Sequence, residues 1–130
     1  MAIYGIGAYY DQDVSPMFIQ NGLAGTGWTF ADAPEIHRFI IALKVGDIVY
    51  IKASSPRSAD IIVRGIGFVR DNQLIDSTAS AGLVEIGRRV DWRVTQEFRI
   101  PKPQERNNVR SNTIYEEFHP DVQAAIMAKL

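Results

Sequence analysis

The sequence predicts one α+β domain over residues 1–130, built on a small, bent or barrel-like, mostly antiparallel sheet with flanking helices. Several short β-branched runs follow one another without the strand–helix alternation of a doubly wound fold. Glycines inside these runs allow the sheet to bend strongly. A length of 130 residues suits one core, and 46% hydrophobic with 22% charged residues is typical of a globular protein.

The first half of the sequence predicts a strand, then an irregular segment, then a helix. Residues 2–10 form an aromatic and β-branched run that indicates a strand. Residues 14–29 carry too many turn formers for a long element, so we expect an irregular crossing with one short buried turn at 17–19. Asp32 is placed to cap a helix that Pro34 opens. The apolar face of this helix follows at helical spacing, with Ile36, Phe39, Ile40 and Leu43.

The middle of the chain predicts a β-hairpin. Residues 48–53 form a continuous β-branched run, which indicates a central strand buried on both faces. Residues 60–70 alternate between apolar and polar positions, so we expect a second strand that pairs with the first. Gly65 and Gly67 interrupt this strand and are expected to mark bulges or crossing points.

The last third predicts two more strands and a terminal helix. The strands are expected at residues 83–86 and 89–100, and the second has one apolar face and one charged face. Trp92 belongs to the apolar face and is expected in the core. The final helix begins near Pro120, and its apolar residues are Val122, Ala125, Ile126 and Leu130.

Composition and motifs exclude several classes of protein. No stretch approaches the roughly 18 apolar residues of a membrane span, and the chain has no cysteine and no apparent secretion signal, so we expect a cytoplasmic location. The two histidines, His37 and His119, lack the spacing of a metal site. The sequence also lacks a nucleophile elbow and a phosphate-binding loop. We therefore expect a non-enzymatic protein that uses neither metal nor cofactor.

A basic segment lies within this almost neutral chain, whose net charge is −1. Residues 86–110 contain seven basic side chains and three acidic ones. Guanidinium groups suit phosphate contacts, whereas exposed arginines on a sheet edge also serve to keep that edge soluble. Both interpretations stay open. The candidate phosphate contacts are Arg88, Arg89, Arg93, Lys102, Arg106 and Arg110.

Four aromatic residues lie beside flexible or polar backbone, where ligand pockets commonly form. Tyr9 and Tyr10 end the first strand, and Trp28 and Phe30 end the glycine-rich crossing. A base stacked on such a ring gains about 1–3 kcal/mol. At least two of the four are expected to be core side chains. Trp28 suits a pocket wall as well as it suits the core.

Three ordered segments carry a resemblance to a known family. They are the strand entry Lys-Val-Gly-Asp-Ile-Val at 44–49, the strand Ile-Val-Arg-Gly-Ile-Gly-Phe-Val at 62–69, and Arg-Arg-Val-Asp-Trp at 88–92. With a Gly-Trp pair before the first helix and Thr-Ile-Tyr-Glu at 113–116, their order resembles the PUA-like β-barrel superfamily. The similarity covers residues 3–118 and is strongest to the EVE and YTH type, including the reader domains of methylation-dependent restriction enzymes.

This resemblance implies a domain that binds nucleic acid and inserts a flipped, modified base into an aromatic cage. Trp28 matches the family's pocket tryptophan, and Thr29 matches the polar position beside it. Tyr10 and Asp11 match the end of the first strand, and Ser54 matches the end of the strand after Gly-Asp. The family's further cage tryptophans have no evident counterpart here, and Tyr9, Tyr10 and Phe30 are the candidates to replace them.

Alternative partners stay open beside RNA or DNA. The same pocket, formed by Tyr10, Asp11, Trp28, Thr29 and Ser54, suits a free nucleotide held by a small accessory or sequestering protein. A third class is a protein-interaction subunit, such as a homodimer, whose aromatic surface is the interface. An enzyme acting on nucleotides through Asp11 is the weakest of the four.

Overall fold

The computed structural model describes residues 1–53, 57–103 and 112–130, and these ranges contain seven strands and three helices. This arrangement confirms the α+β class. In chain order the elements are β1 (Ile3–Gly7), α1 (Ser15–Asn21), β2 (Leu23–Thr26), α2 (Pro34–Ala42), β3 (Ile48–Ala53), β4 (Asp60–Asp76), β5 (Ile86–Val94), β6 (Phe98–Pro101), β7 (Ile114–Glu116) and α3 (Pro120–Met127).

The strands form one mostly antiparallel sheet, as the sequence predicts. In the described residues the hydrogen-bonded order is β2-β5-β4-β3-β1-β7, and β6 pairs separately with β4. The hairpin of β3 and β4 is confirmed. β1 and β3 are parallel, with a register that runs from Ile3 opposite Ile48 to Gly7 opposite Lys52. Both of these strands therefore end at the same edge of the sheet.

β3 is buried on both faces, as its continuous apolar run predicts. Val49 and Ile51 contribute to the core beneath α1 and α2, whereas Ile48 and Tyr50 contribute to the core on the opposite face. All four side chains are almost fully inaccessible to solvent. Because successive side chains of a strand point to opposite faces, a strand between two cores needs apolar residues at every position.

The helices cover the two faces of the sheet. Phe18 of α1 and Ile40 of α2 are completely buried in one core, and Val122 and Ile126 of α3 are completely buried in the other. The predicted apolar faces are therefore confirmed at Ile40 and Leu43 and at Val122 and Ile126, whereas Phe39 and Leu130 are exposed. Within the described ranges, no helix has the length and apolar character needed to cross a lipid bilayer.

Four local predictions need correction. The single strand predicted over residues 89–100 is divided into β5, which ends at Val94, and β6, which begins at Phe98. Ala33, and not Asp32, occupies the N-cap position of α2, and no side chain bonds to this cap. The segment predicted as an irregular crossing contains α1, whose end is closed by Gly22 in the left-handed conformation. The chain does not form a separate strand over residues 83–86, because it turns there and pairs only from Ile86 onward.

The core beneath α3 contains a buried polar cluster. The hydroxyl oxygen of Tyr50 lies 2.7 Å from that of Tyr115, and the Tyr50 hydroxyl donates to a carboxylate oxygen of Glu117 at 2.7 Å. All three side chains are buried. Burial, together with these neighbours, raises the pKa of Tyr50, so its hydroxyl keeps its proton and remains a donor. Gly5 leaves room for the Tyr115 ring, because a Cβ atom at residue 5 would overlap that ring.

Candidate functional site

A cleft of about 380 Å³ opens where β1 and β3 end. Its walls come from the end of β1 and the loop after it, the ends of β2 and β3, one residue of β4 and the approach to β7. Pockets for small ligands commonly measure roughly 300–1,000 Å³, so this volume suits one compact ligand.

Two exposed aromatic rings form one side of the cleft. Tyr9 is 71% exposed and Trp28 is 54% exposed, and both side chains line the opening. The Trp28 backbone is held on both sides, because its N–H donates to Thr26 Oγ1 at 3.2 Å and its carbonyl accepts from His37 Nε2 at 2.6 Å. The ring is thus presented to solvent by a fixed main chain.

Tyr10 lies at the inner side of the same wall. Its ring packs edge-on against Phe18, with 6.5 Å between the ring centroids, and it also adjoins the backbone of Gly27. Burial raises the pKa of Tyr10 to about 12, although the backbone of Gly27 offsets part of this shift. Tyr10 therefore contributes a neutral phenol to the cleft.

Asp13 supplies a carboxylate to the lining of the cleft. Its Oδ1 accepts hydrogen bonds from the backbone and the hydroxyl of Ser15, and its Oδ2 lies 2.7 Å from a guanidinium nitrogen of Arg64. Burial alone would raise the pKa of Asp13, but the Ser15 hydrogen bonds and the Arg64 charge together lower it. The carboxylate is therefore ionised and held in one orientation.

A β-bulge places Arg64 in the cleft wall. β4 pairs Gly65 with Ile51 and Val63 with Lys52, so Arg64 has no residue opposite it on β3. Such an extra residue re-aims the side chains around it. The prediction of a bulge near Gly65 is confirmed, and its consequence is that Arg64 bonds to Asp13 and to Glu97, whose Oε1 lies 3.3 Å from Arg64 Nε.

Lys52 supplies a cation at the end of β3. It sits opposite Gly7 in the parallel pair, and its Cε lies 3.8 Å from the position that a Cβ atom of residue 7 would occupy. Its Nζ is 5.9 Å from the centroid of the Tyr115 ring. Burial, and to a smaller extent the charge of Lys102, lower the pKa of Lys52.

The structure brings together only part of the predicted pocket. Tyr10 and Trp28 line the cleft. Asp11 is exposed in the turn between Tyr9 and Asp13 and does not line the cleft, and this corrects its assignment. Thr29 is likewise exposed and outside the lining, and its hydroxyl accepts a hydrogen bond from the backbone of Asp32 at 3.3 Å. Ser54 lies outside the described residues.

Sequence reasoning missed most of the polar lining. The missed residues are Asp13, Thr26, Lys52, Arg64, Asn112 and Thr113. Asp13 and Lys52 could have been predicted, since each lies two positions along the sequence from a predicted contact, Asp11 or Ser54. The sequence did not indicate that Arg64 lines the cleft, because the position of its side chain depends on the β-bulge.

Arg88 is a structural residue, which corrects its assignment as a phosphate contact. It is only 2% exposed, and its guanidinium donates to the carbonyl oxygens of Ile40 and Leu43 and, at 2.7 Å, to that of Asp71. The last carbonyls of a helix have no partner within the helix, and they also carry its negative dipole end. Arg88 therefore closes the carboxyl end of α2 from inside the protein.

The other predicted phosphate contacts differ among themselves. Arg89 and Arg93 are exposed, but each faces a neighbouring aspartate: Asp71 at 3.7 Å and Asp91 at 2.8 Å. Lys102 is half-buried and acts electrostatically on Lys52. Arg106 and Arg110 lie outside the described residues. The structure therefore does not join the described members of this set into one phosphate-binding surface.

Trp92 confirms its predicted place at the core. The ring is only partly accessible, and Nε1 donates to the carbonyl oxygens of Phe18 at 3.1 Å and Leu23 at 3.3 Å. Its two hydrogen bonds tie β5 to α1 and β2.

The comparisons with known proteins identify no relative: no protein-family model matches the chain, and a search of curated proteins finds no match. In the described part of the chain, no three side chains of the His, Asp and Glu types converge in a way that would hold a metal ion. The cleft is therefore the feature of the molecule that indicates a function.

Proposed function

We propose that the cleft binds a nucleobase, within RNA or DNA or as part of a free nucleotide, by stacking it on Trp28. The observation that carries this proposal is the exposed Trp28 ring on a main chain fixed by Thr26 and His37. A large exposed ring costs solvation free energy unless a partner covers it, and stacking contributes about 1–3 kcal/mol per base. Tyr9 offers a second exposed ring at the same opening.

Polar groups around the rings supply orientation for such a ligand. The ionised Asp13 accepts hydrogen bonds, so it complements an exocyclic amino group or a ring N–H of a base. Asn112 and Thr113 add an amide and a hydroxyl to the same lining. A base would therefore find an aromatic surface and hydrogen-bonding partners for its edge in one cleft.

We propose binding without catalysis. Asp13 is already engaged by Ser15 and Arg64, and the Tyr10 phenol keeps its proton far above neutral pH. Neither group is suited to act as a general base near neutral pH. The cleft is thus better suited to hold a ligand than to transform one.

The fold that we propose for this function is a PUA-like, EVE-type domain in which the bent sheet forms a small barrel. The support is the order of the motifs at 44–49, 62–69 and 88–92, together with the α+β architecture. The position of Trp28 at the mouth of a cleft is compatible with the family's use of a pocket tryptophan.

Trp28→Ala tests the stacking proposal, and Phe118→Ala is its matched control. Phe118 is 73% exposed and does not line the cleft. Calorimetry or fluorescence would measure binding of single-stranded RNA and DNA, with and without modified bases, and of mononucleotides. We expect Trp28→Ala to weaken binding by about tenfold or more and Phe118→Ala to leave it unchanged. Equal affinities of both variants for every ligand would contradict the proposal.

Salt dependence separates a strand from a free nucleotide. If a strand binds through its backbone, the affinity falls steeply with salt, and removing exposed cations flattens the slope. Because Arg88 is buried, the appropriate variant is Arg89→Ala with Arg93→Ala. An unchanged slope in this variant would remove these two arginines from the interface.

A further inference from the structure

We propose that Arg64 and Asp13 select guanine as the base that stacks in the cleft. In this arrangement Arg64 donates to N7 and O6 of the base, and Asp13 accepts from its N1–H. The inference rests on the proposed function and names the base. Both side chains line the cleft together with Trp28, and both are within reach of a ligand, since 30% of the Arg64 side chain and 38% of the Asp13 side chain are exposed.

Two carboxylates hold the Arg64 guanidinium in the cleft wall. Its Nη1 lies 2.7 Å from Asp13 Oδ2, and its Nε donates to Glu97 Oε1 at 3.3 Å. A guanidinium has five N–H donors in one plane. Within the described residues, Asp13 and Glu97 are the acceptors that Arg64 has. The second hydrogen of Nη1 and both hydrogens of Nη2 are therefore available to a ligand.

The two carboxylates also show which end of Arg64 faces the cleft. Arg64 and Asp13 line the cleft and a neighbouring groove beside α1, whereas Glu97 lines the groove and not the cleft. Because Nε bonds to Glu97, it lies on the side of the groove. The terminal nitrogens extend to Asp13 and lie nearer the cleft. They are therefore the part of Arg64 that a ligand in the cleft meets.

Asp13 can accept one further hydrogen bond beside these nitrogens. An ionised carboxylate has roughly four acceptor sites. Among the described residues, Ser15 occupies two of them on Oδ1, through its backbone N–H and its hydroxyl, and Arg64 occupies one on Oδ2. The remaining site is on Oδ2, next to the terminal nitrogens of Arg64. The wall therefore offers N–H donors and, directly beside them, one acceptor.

This order of groups complements one edge of guanine. Guanine presents N7 and O6 as acceptors and then N1–H as a donor, which matches two N–H groups of Arg64 followed by Oδ2 of Asp13. Adenine and uracil place their donor between two acceptors, so beside Asp13 they satisfy at most one N–H of Arg64. A polar group that loses water without gaining a partner weakens binding. Guanine is therefore favoured over adenine and uracil.

Stacking separates guanine from cytosine. Cytosine has the same order of groups in O2, N3 and its amino group, so hydrogen bonds alone do not exclude it. The purine, however, covers more of an aromatic ring than the pyrimidine does, and the rings of Trp28 and Tyr9 are both exposed at the opening. The larger base therefore gains more from the same cleft.

The charges around Arg64 favour an uncharged acceptor over a phosphate. Carboxylate oxygens of Asp13 and Glu97 already lie 2.7 Å and 3.3 Å from its nitrogens. A phosphate would bring a third anion to this position and would be repelled by both carboxylates. A carbonyl oxygen and a ring nitrogen accept the same N–H groups without this repulsion, as N7 and O6 of guanine do.

The test measures which atoms of the base contribute to binding. The probes are guanosine, inosine, 7-deazaguanosine, adenosine, cytidine and uridine, and uridine octamers that carry each of these bases at one central position. Inosine keeps N7, O6 and N1–H but lacks the exocyclic amino group, whereas 7-deazaguanosine lacks the N7 acceptor. Calorimetry on the full chain measures each affinity.

We expect guanosine and inosine to bind with similar affinities, about tenfold or more tightly than the other four bases. The loss with 7-deazaguanosine reports the bond from Arg64 to N7. A preference seen with the nucleosides identifies a free ligand, and a preference confined to the octamers identifies a strand; both support the inference.

Arg64→Lys tests the role of the guanidinium, because lysine keeps the charge but cannot donate to two acceptors in one plane. Arg99→Lys is the matched control, since Arg99 is exposed, lies 3.9 Å from Asp60 and does not line the cleft. The preference for guanine should be largely lost in Arg64→Lys and kept in Arg99→Lys. Stacking on Trp28 should continue in both variants.

The two proposals fail in different ways. Equal affinities of the native chain for all bases would overturn the selection of guanine and leave the stacking proposal intact. A preference for another base, or a preference for guanine that persists with 7-deazaguanosine or in a folded Arg64→Lys variant, would also overturn the selection. Absence of binding to every probe would overturn the proposed function itself. Because the comparison of bases uses the native chain, it decides even if a variant does not fold.

Discussion

The cleft and strand β5 use similar residues for opposite purposes. Each contains a tryptophan and basic side chains, but Trp92 and Arg88 of β5 bond to main-chain carbonyls inside the protein. In the cleft, Trp28 presents its ring to solvent and Lys52 faces an opening. Residue type and charge therefore do not indicate a binding surface until the fold determines which side chains are buried and which line an opening.

Position in the sheet explains the difference. β5 lies between β2 and β4, so it has strand neighbours on both sides and every second side chain enters a core. The cleft lies where β1, β2 and β3 end, and side chains beyond the last paired residues have fewer neighbours. Strand ends and their loops consequently supply the accessible chemistry.

The largest expected effect separates Arg88 from its neighbour in sequence. Arg88→Met should lower the free energy of unfolding by at least about 3 kcal/mol, because it leaves buried carbonyls at the end of α2 without a donor. Arg89→Met should change it by less than about 0.5 kcal/mol, because Arg89 is exposed. Urea unfolding measures both. Similar losses in the two variants would remove the distinction between a buried and a surface arginine.

The two tryptophans should also contribute unequally to stability, and the partly buried Trp92 should contribute more. Trp92→Ala should cost about 2 kcal/mol or more through lost packing and two lost hydrogen bonds. Trp28→Ala should cost less than about 0.5 kcal/mol, since its exposed ring contributes little to the core. Denaturant titration followed by far-ultraviolet circular dichroism tests this. A larger loss for Trp28→Ala would show that its ring supports the fold.

A smaller effect is expected at Asp13. Asp13→Asn should lower the free energy of unfolding by about 1 kcal/mol. The neutral amide has no charge to pair with Arg64, and it accepts weaker hydrogen bonds from Ser15 than the carboxylate does. The pKa of Asp13 is lowered from 3.8 in the folded state, so its contribution is present above that pH and is lost as the pH falls through the folded value. The two proteins should therefore converge in stability in acid. A difference that stays constant down to acid pH would contradict this account.

The smallest effect concerns Lys52 and pH. Because the pKa of Lys52 is lowered from 10.5 on folding, its charge opposes folding below the folded pKa, and the penalty disappears as the pH rises toward 10.5. Lys52→Met should thus be slightly more stable than the native chain near neutral pH, and this advantage should shrink in alkali. Thermal unfolding over that pH range measures it, with Lys44→Met as the control. An advantage that grows with pH would reverse the proposed sign.

Patterns of hydrophobic residues predicted the parts of the fold that depend on local periodicity. The continuous run at 48–53 identified a strand between two cores, and the helical spacing after Pro34 identified α2. The alternation along 89–94 separated the exposed Arg89 and Asp91 from the buried Val90. In each case burial repeats with the period of the element, so the periodicity of the sequence is sufficient evidence.

The candidate site was predictable only where local sequence determines exposure. Trp28 follows a glycine-rich segment and lies two residues after the end of β2, and these local features left a pocket wall and the core equally open for its ring. The partners of that ring come from β3, β4 and the approach to β7, which are distant in sequence. No local sequence pattern indicates that Lys52 and Asn112 line the same opening.

The amino-acid sequence alone determined the α+β class, the double burial of β3, the amphipathic helices and the presence of aromatic residues beside flexible backbone. Tertiary structure alone decided which charges stay accessible. Arg88 and Arg89 are adjacent and chemically identical, yet one bonds to the end of α2 and the other reaches solvent. The reason is that the availability of a polar group depends on partners brought near by the pairing of distant strands, and local periodicity contains no record of those partners.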